Sequence, residues 1–172
     1  MKIQEIDIVV FFNKLGNKKL DFWLGFLNSI TFLAFLWGIL IAIAVLKNPE
    51  IAKSFLVAVV LVSALHFGIT EGIFKHAFFF KRKRPYVAYP EKIKPVGRKF
   101  SDSSFPSSHM ATTVAMLFVI VSFYPSLFLI ALALVLFMAF SRLHNGMHYP
   151  TDLLAGTLLG LVYGAMAMYF VR

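Results

Sequence analysis

The chain has 172 residues, of which 59% are hydrophobic, 16% aromatic and only 15% charged, and its mean hydropathy is +0.78. Soluble domains run at about 45–50% apolar and about 25% charged residues, so this composition excludes a disordered chain and argues against a soluble globule. The net charge is +9 and there is no cysteine, which excludes disulfides, thiolate catalysis and thiolate-bound zinc; the basic residues sit between long apolar runs, which points to anionic lipid or phosphorylated head groups rather than nucleic acid.

The length fits one domain, 1–172. Residues 3–15 hold a short apolar run, Ile8 to Phe12, too short to cross a bilayer. They read as an interfacial helix, with the start of a sixth span as the alternative. No cleavable signal peptide is expected, because no short apolar core followed by small residues opens the chain. A hydrocarbon core of about 30 Å needs roughly 20 helical residues. Residues 22–46 contain no Lys, Arg, Asp or Glu and predict a first span. Residues 54–80 predict a second, interrupted by Glu71 and Lys75. Residues 103–141 carry no formal charge, exceed one helix and break at Tyr124-Pro125-Ser126, giving two spans and a tight turn. Residues 153–171 predict the last. The expected fold is all-α: a polytopic transmembrane helix bundle of five spans plus the N-terminal interfacial helix. Gly156, Gly160 and Gly164 line one face of the last span, for helix packing or for a dimer interface.

Five spans put the N-terminus, the 81–106 loop and the 142–152 loop on one membrane face. That face holds most of the Lys and Arg: four in the N-terminal segment, eight between 81 and 99, and Arg142. The other face has Lys47, Lys53 and Arg172.

The polar clusters on the first face carry the chemistry. Lys81-Arg82-Lys83-Arg84-Pro85 opens a loop with one acid, Glu91, among eight basic residues between 81 and 99. Such a loop can be a topology signal, a lipid-surface contact or a phosphate site. Phe105-Pro106-Ser107-Ser108-His109 precedes a span and offers free backbone N–H groups, hydroxyls and an imidazole, either as a helix cap or as an anion site. In the segment Ser141 to Asp152, Pro150 and Asp152 suit the first turn of a helix. Asp152 lies four residues beyond His148, a spacing at which a carboxylate can fix an imidazole tautomer. Arg142 supplies a planar fork for phosphate oxygens. His109, His148 and Asp152 are also metal-ligand types, but the arginines around them would repel a cation, and no metal or cofactor is read here. Glu71 and Lys75 either neutralise each other within the span or direct Lys75 to the basic loop; His66 and His76 read as structural.

Together, Arg84-Pro85, Pro106-Ser107-Ser108-His109, and Ser141-Arg142 followed by His148 and Asp152 resemble the three-part signature of the type 2 phosphatidic acid phosphatase superfamily, over about residues 54–171. Two positions depart from it. Ser108 stands where the second motif has Gly, and Lys75 lies two residues early for the first motif's Lys, so that a helical offset or Lys81 would have to supply that charge. The resemblance implies metal-free phosphoryl transfer through a phosphohistidine at His148, oriented by Asp152, with His109 as acid and then base. Arg84, Arg142, Lys75, Ser107 and Ser108 would hold the phosphoryl oxygens. It implies a phosphorylated membrane lipid as substrate and the bilayer as surroundings, with no nucleic acid and no obligate protein partner. The expected substrate is lipid A 1-phosphate, with undecaprenyl diphosphate, phosphatidylglycerol phosphate and phosphatidic acid as alternatives. The expected location is the bacterial inner membrane, multi-pass, with a periplasmic site, although the basic loop taken alone would put that face in the cytoplasm. The non-enzyme alternative is a small transporter or lipid-binding membrane protein, with Glu71, Lys75 and His66 as an intramembrane relay.

Overall fold

The computed structural model describes residues 4–76 and 81–171. The last residues of the predicted second span, 77–80, and the first of the predicted interfacial helix lie outside the described residues. The chain order is α1 (Glu5–Lys14), α2 (Lys18–Leu27), α3 (Ile30–Lys47), α4 (Pro49–Leu65) continued by a π-helical segment (His66–Phe74), the one-turn α5 (Pro85–Ala88), α6 (Ser108–Phe123), a 3-10 turn (Pro125–Leu127), α7 (Phe128–His144) and α8 (Pro150–Val171).

Helices long and apolar enough to cross a membrane cover Ile30–Lys47, Pro49–Phe74, Pro125–His144 and Pro150–Val171, and the shorter apolar α6 makes the fifth helix of the bundle. At 16 residues, α6 is about 24 Å long. It starts later than residue 103 because residues 103–107 follow an irregular, bent path, with a cis Phe105–Pro106 bond, before Ser107, the N-cap residue of the helix. It can be short because it is the central helix: its buried residues run from Met110 through Val119, and α4, α7 and α8 all pack on it. Outward-facing Leu129, Leu136, Leu158 and Phe170 are exposed, the surface that hydrocarbon requires.

The first predicted span, 22–46, is divided in the structure. Asn28 turns its Nδ2 back to the Leu24 carbonyl at 2.8 Å, and Ser29 caps α3 by accepting from Phe32 N at 3.2 Å. Short polar side chains that bond the local backbone end one helix and start another. The crossing helix therefore begins at Ile30, and α2 stays with α1 at the loop end. Helix α1 has 10 residues, about 15 Å, too short to be the sixth span. At the opposite end, Asn48 Nδ2 donates to the Tyr124 hydroxyl at 2.6 Å, which joins the two turns that the topology placed on one face.

The glycine stripe of α8 faces α6. A Cβ at Gly156 would fall 2.5 Å from the Ser107 oxygen, one at Gly160 would fall 2.6 Å from the Ala111 oxygen, and one at Gly164 would fall 2.7 Å from Phe118 Cβ. The stripe is thus spent on packing inside the molecule rather than on a dimer interface.

Candidate active site

The loop between α7 and α8 begins with Gly146 at φ +68°. This left-handed residue just past the end of α7 reverses the chain and presents Met147 and His148 to the bundle end. The backbone N–H of Tyr86 reaches the Gly146 carbonyl at 3.3 Å, and the Tyr86 hydroxyl donates to the Phe100 carbonyl at 2.6 Å. These bonds bring Arg84, just before α5, against the α7–α8 loop.

His148 is 1% exposed. Its Nδ1 lies 2.8 Å from the Ser104 carbonyl oxygen. A carbonyl only accepts, so this contact assigns the ring proton to Nδ1 and leaves a lone pair on Nε2. Arg84 Nη1 lies 3.4 Å from that Nε2. Burial pushes the imidazole well below its ordinary range, and Arg142, Arg84 and Lys75 push it the same way. Asp152 is close, with Oδ2 at 3.7 Å from Nδ1, but its bonds go elsewhere. Oδ2 accepts from Tyr149 N at 2.8 Å and Oδ1 from Arg82 at 2.8 Å. The direct bond expected from Asp152 to the imidazole is made instead by the Ser104 carbonyl. Asp152 fixes the adjoining backbone and supplies a negative field.

Arg84 is buried and donates to Asp102 at 2.7 Å and to the Met147 carbonyl at 3.3 Å. Lys75 is buried as well. Its Nζ donates to the Ser103 carbonyl at 2.6 Å and stands 3.5 Å from Asp102. Of the two readings of Lys75, the structure therefore supports the one that turns it to the basic loop. Its altered spacing has a local cause: nine residues of π-helix immediately precede it, and its own N–H bonds Thr70 O five residues back. An i→i+5 segment widens the turn and rephases whatever follows. Lys81 is exposed. Burial alone would raise the Asp102 carboxyl, but Arg84 and then Lys75 outweigh it and hold it below its usual value.

His109 and Ser108 open α6 and line the same cavity as Arg84, Arg142 and His148. His109 Nε2 lies 3.2 Å from the Asn28 carbonyl oxygen. Ser107 N donates to the Asp152 carbonyl at 3.1 Å, a backbone link between the second and third motifs. The hydroxyls of Ser104, Ser107 and Ser108 and the Nε atoms of Arg84 and Arg142 are buried with no hydrogen-bond partner among the described residues. Buried donors are nearly always paired, and those of Ser108, Arg84 and Arg142 belong to residues that line the cavity with Lys75, which suits an anion rich in acceptor oxygens. Of the side chains named from the sequence, Lys75, Arg84, Ser108, His109, Arg142 and His148 line this cavity, while Ser107 and Asp152 stand behind it. His144 does neither: its ring nitrogens meet the Phe12 carbonyl at 3.1 Å and Asp21 at 2.9 Å, pinning α1 and α2 to α7.

Sequence reasoning missed four contributors. Ser104 acts through its carbonyl, and Asn28 through its carbonyl and through an Oδ1 that accepts from Ser141 at 3.0 Å. Asp102 was legible only as a lone acid beside a basic loop. Arg82 donates to Asp152 and to Thr151 at 2.7 Å, pairs with Glu5 of α1, and lies 3.8 Å above the Tyr149 ring.

From the polar end a cavity of about 660 Å³ runs between α3, α4 and α6. Ile30, Leu33, Trp37, Val59, Val62 and Met116 line its apolar length. An anion bound at His148 can thus be attached to a hydrocarbon chain that never leaves the bundle.

Compared with known proteins, residues 52–172, the greater part of the chain, match the family model described as the PAP2 superfamily. The bacitracin transport permease protein BcrC of Bacillus licheniformis is 33% identical over 79 residues, which are 46% of this chain and 38% of that protein. A crystal structure of LpxE from Aquifex aeolicus superimposes with a TM-score of 0.63 at 21% identity, covering 95% of this chain and 94% of that one. The last likeness is one of fold.

Proposed function

The chain belongs to the PAP2 superfamily, and from that premise we propose that it is a membrane lipid phosphatase working through a phosphohistidine without a metal. The observation that carries this reading is the unprotonated Nε2 of His148, with Nδ1 held on Ser104 and cations around it, at the head of an apolar cleft. Nε2 attacks phosphorus, and the bond to the lipid oxygen breaks as His109 protonates it. His109 then takes a proton from water, the water oxygen bonds phosphorus, and the phosphorus–nitrogen bond breaks to release phosphate. Arg84, Arg142, Lys75, Ser107 and Ser108 hold the equatorial oxygens. Phosphoryl transfer depends chiefly on such positioning and charge stabilisation. A histidine acid–base contributes roughly 10²–10⁴-fold, and a covalent intermediate divides one difficult step into two.

The preferred substrate is lipid A 1-phosphate, because the strongly basic loop suits a head group with more than one phosphate. Polyprenyl diphosphate is the alternative on the same ground. We place the site on the periplasmic face of an inner membrane. Arg84 lines the cavity and pairs with Asp102, while Arg82 and Lys94 pair with Glu5 and Asp21 of the N-terminal helices, so part of the loop's charge has a structural use and its topology signal is weakened.

The test is phosphate release in detergent micelles containing EDTA, from phosphatidic acid, phosphatidylglycerol phosphate, undecaprenyl diphosphate and lipid A. Release from one of them, undiminished by EDTA and inhibited by vanadate, is the expected result. A folded protein that releases none would sink the reading and favour a transporter, the activity in the name of the Bacillus relative.

Arg82 acts in this scheme as a positioning residue, tying α1 and the start of α8 to the loop. Arg82→Gln is expected to lower kcat roughly tenfold with KM little changed, since small misplacements of reacting groups cost rate rather than binding. An equal rise in KM at constant kcat would show instead that Arg82 binds substrate.

A further inference from the structure

The cleft is layered along its length. At the loop end stand Arg84, Arg142 and Lys75. Further in are Glu71, one turn from Lys75, and then Thr112 and His66; beyond them the lining is apolar except for Ser63, whose hydroxyl bonds the Val59 carbonyl of its own helix. Thr112 Oγ1 lies 3.1 Å from His66 Nε2, and Glu71 Oε1 lies 3.9 Å from the same nitrogen. Thr112 follows His109 by three residues, about 4.5 Å along α6. Atoms a few bonds beyond the oxygen protonated by His109 therefore meet this polar shelf. Polar and ionisable groups inside a membrane span are costly and are kept for a purpose. Packing alone does not account for them here, because all three line the cleft.

The charge of the shelf is informative. Among the described residues lining the cleft, Glu71 is the only formal charge deeper than Lys75. Lys75, within electrostatic reach of it, makes its bonds to Ser103 and Asp102. A second phosphate joined directly to the scissile one would sit beside a carboxylate whose nearest cation, Lys75, is already bonded to Ser103 and Asp102, and like charges placed together are strongly disfavoured. Hydroxyl or amide N–H groups would instead find acceptors in Glu71 and Thr112 and an imidazole to bond.

We infer that the His66–Glu71–Thr112 shelf is a leaving-group subsite that accepts a hydroxyl- or amide-bearing lipid backbone and rejects a lipid diphosphate. This rests on the phosphatase reading, and it selects a sugar-lipid phosphomonoester over a polyprenyl diphosphate. Sites that bond a substrate's polar groups discriminate strongly because an analogue lacking them leaves buried partners unpaired.

The experiment compares kcat/KM for lipid A 1-phosphate, polyprenyl monophosphate and polyprenyl diphosphate in one detergent, for the wild type, Glu71→Gln, Glu71→Lys and Thr112→Val. The wild type is expected to favour lipid A 1-phosphate over the diphosphate by about tenfold or more. Glu71→Lys should narrow or reverse that ratio by about tenfold, with Glu71→Gln between. Thr112→Val should lower the rate on lipid A 1-phosphate relative to polyprenyl monophosphate. A wild type that prefers the diphosphate overturns the inference even where the variants fail to fold. So does a ratio unchanged in Glu71 variants that melt as the wild type does. Both results leave the phosphatase reading standing, whereas no release from any of the three by folded wild type removes that reading itself.

Discussion

Replacing His148 with alanine is expected to reduce lipid phosphate release to the no-enzyme background, a loss of roughly 10⁴-fold or more. In the proposed mechanism the side chain supplies the bond-forming nitrogen, and no neighbour stands ready to replace it: His109 is held against the Asn28 carbonyl, and His144 is committed to Asp21 and Phe12. The fold should persist, because His148 bonds a loop carbonyl and lies outside the helix interfaces. Retained turnover in the variant would remove the phosphohistidine route. The same pair of proteins tests the electrostatics. An ordinary imidazole is half protonated near pH 6.5. Burial and the three cations disfavour the charged form of His148, so its signal in histidine-labelled NMR should stay that of the neutral ring as pH falls through 6.5. The His148→Ala spectrum assigns that signal. Titration at or above the ordinary value would mean that the cations do not face the ring as described. In the proposed mechanism, keeping the ring neutral leaves Nε2 free to attack a substrate that the surrounding cations draw in.

Gly160→Val should cost about 3 kcal/mol, the upper end of what overpacking usually costs, and lower the melting midpoint by about 10 °C. The added Cβ would meet the Ala111 oxygen at 2.6 Å and Val114 Cβ at 2.7 Å. The first is main chain of a helix and cannot rotate away, so α8 must separate from α6. Activity should fall with stability, because α6 presents Ser108 and His109 from its first turn. Gly38→Ala is the matched control: nothing lies within 4 Å of the Cβ it would add, and its melting curve should overlay the wild type. A Gly160→Val protein that melts unchanged would mean that α8 does not pack on α6 through this stripe.

The sequence by itself determined the helical class, the bundle and most of the polar side chains that line the loop end of the cleft. Apolar runs of span length declare themselves, because burial in hydrocarbon is a property of consecutive residues. The third cluster was legible for the same reason: Arg142, His148 and Asp152 lie within one helix end, one short loop and one helix start, so their spacing nearly is their geometry. The tertiary structure decided what depends on contacts between distant segments. Asn28 and Ser29 end one helix and start the next by bonding their own backbone, which no hydropathy sum registers. Lys75 reaches the site through a π-helical offset that the usual helical period does not anticipate. The partner of His148 is a main-chain carbonyl 44 residues away, and the partner of Arg82 is a glutamate 77 residues away in α1. A carbonyl carries no side-chain signature, and an ion pair between remote segments leaves no period in the sequence. The residues proposed to do the chemistry were therefore visible beforehand, and the bonds that aim them came only with the packing of the helices.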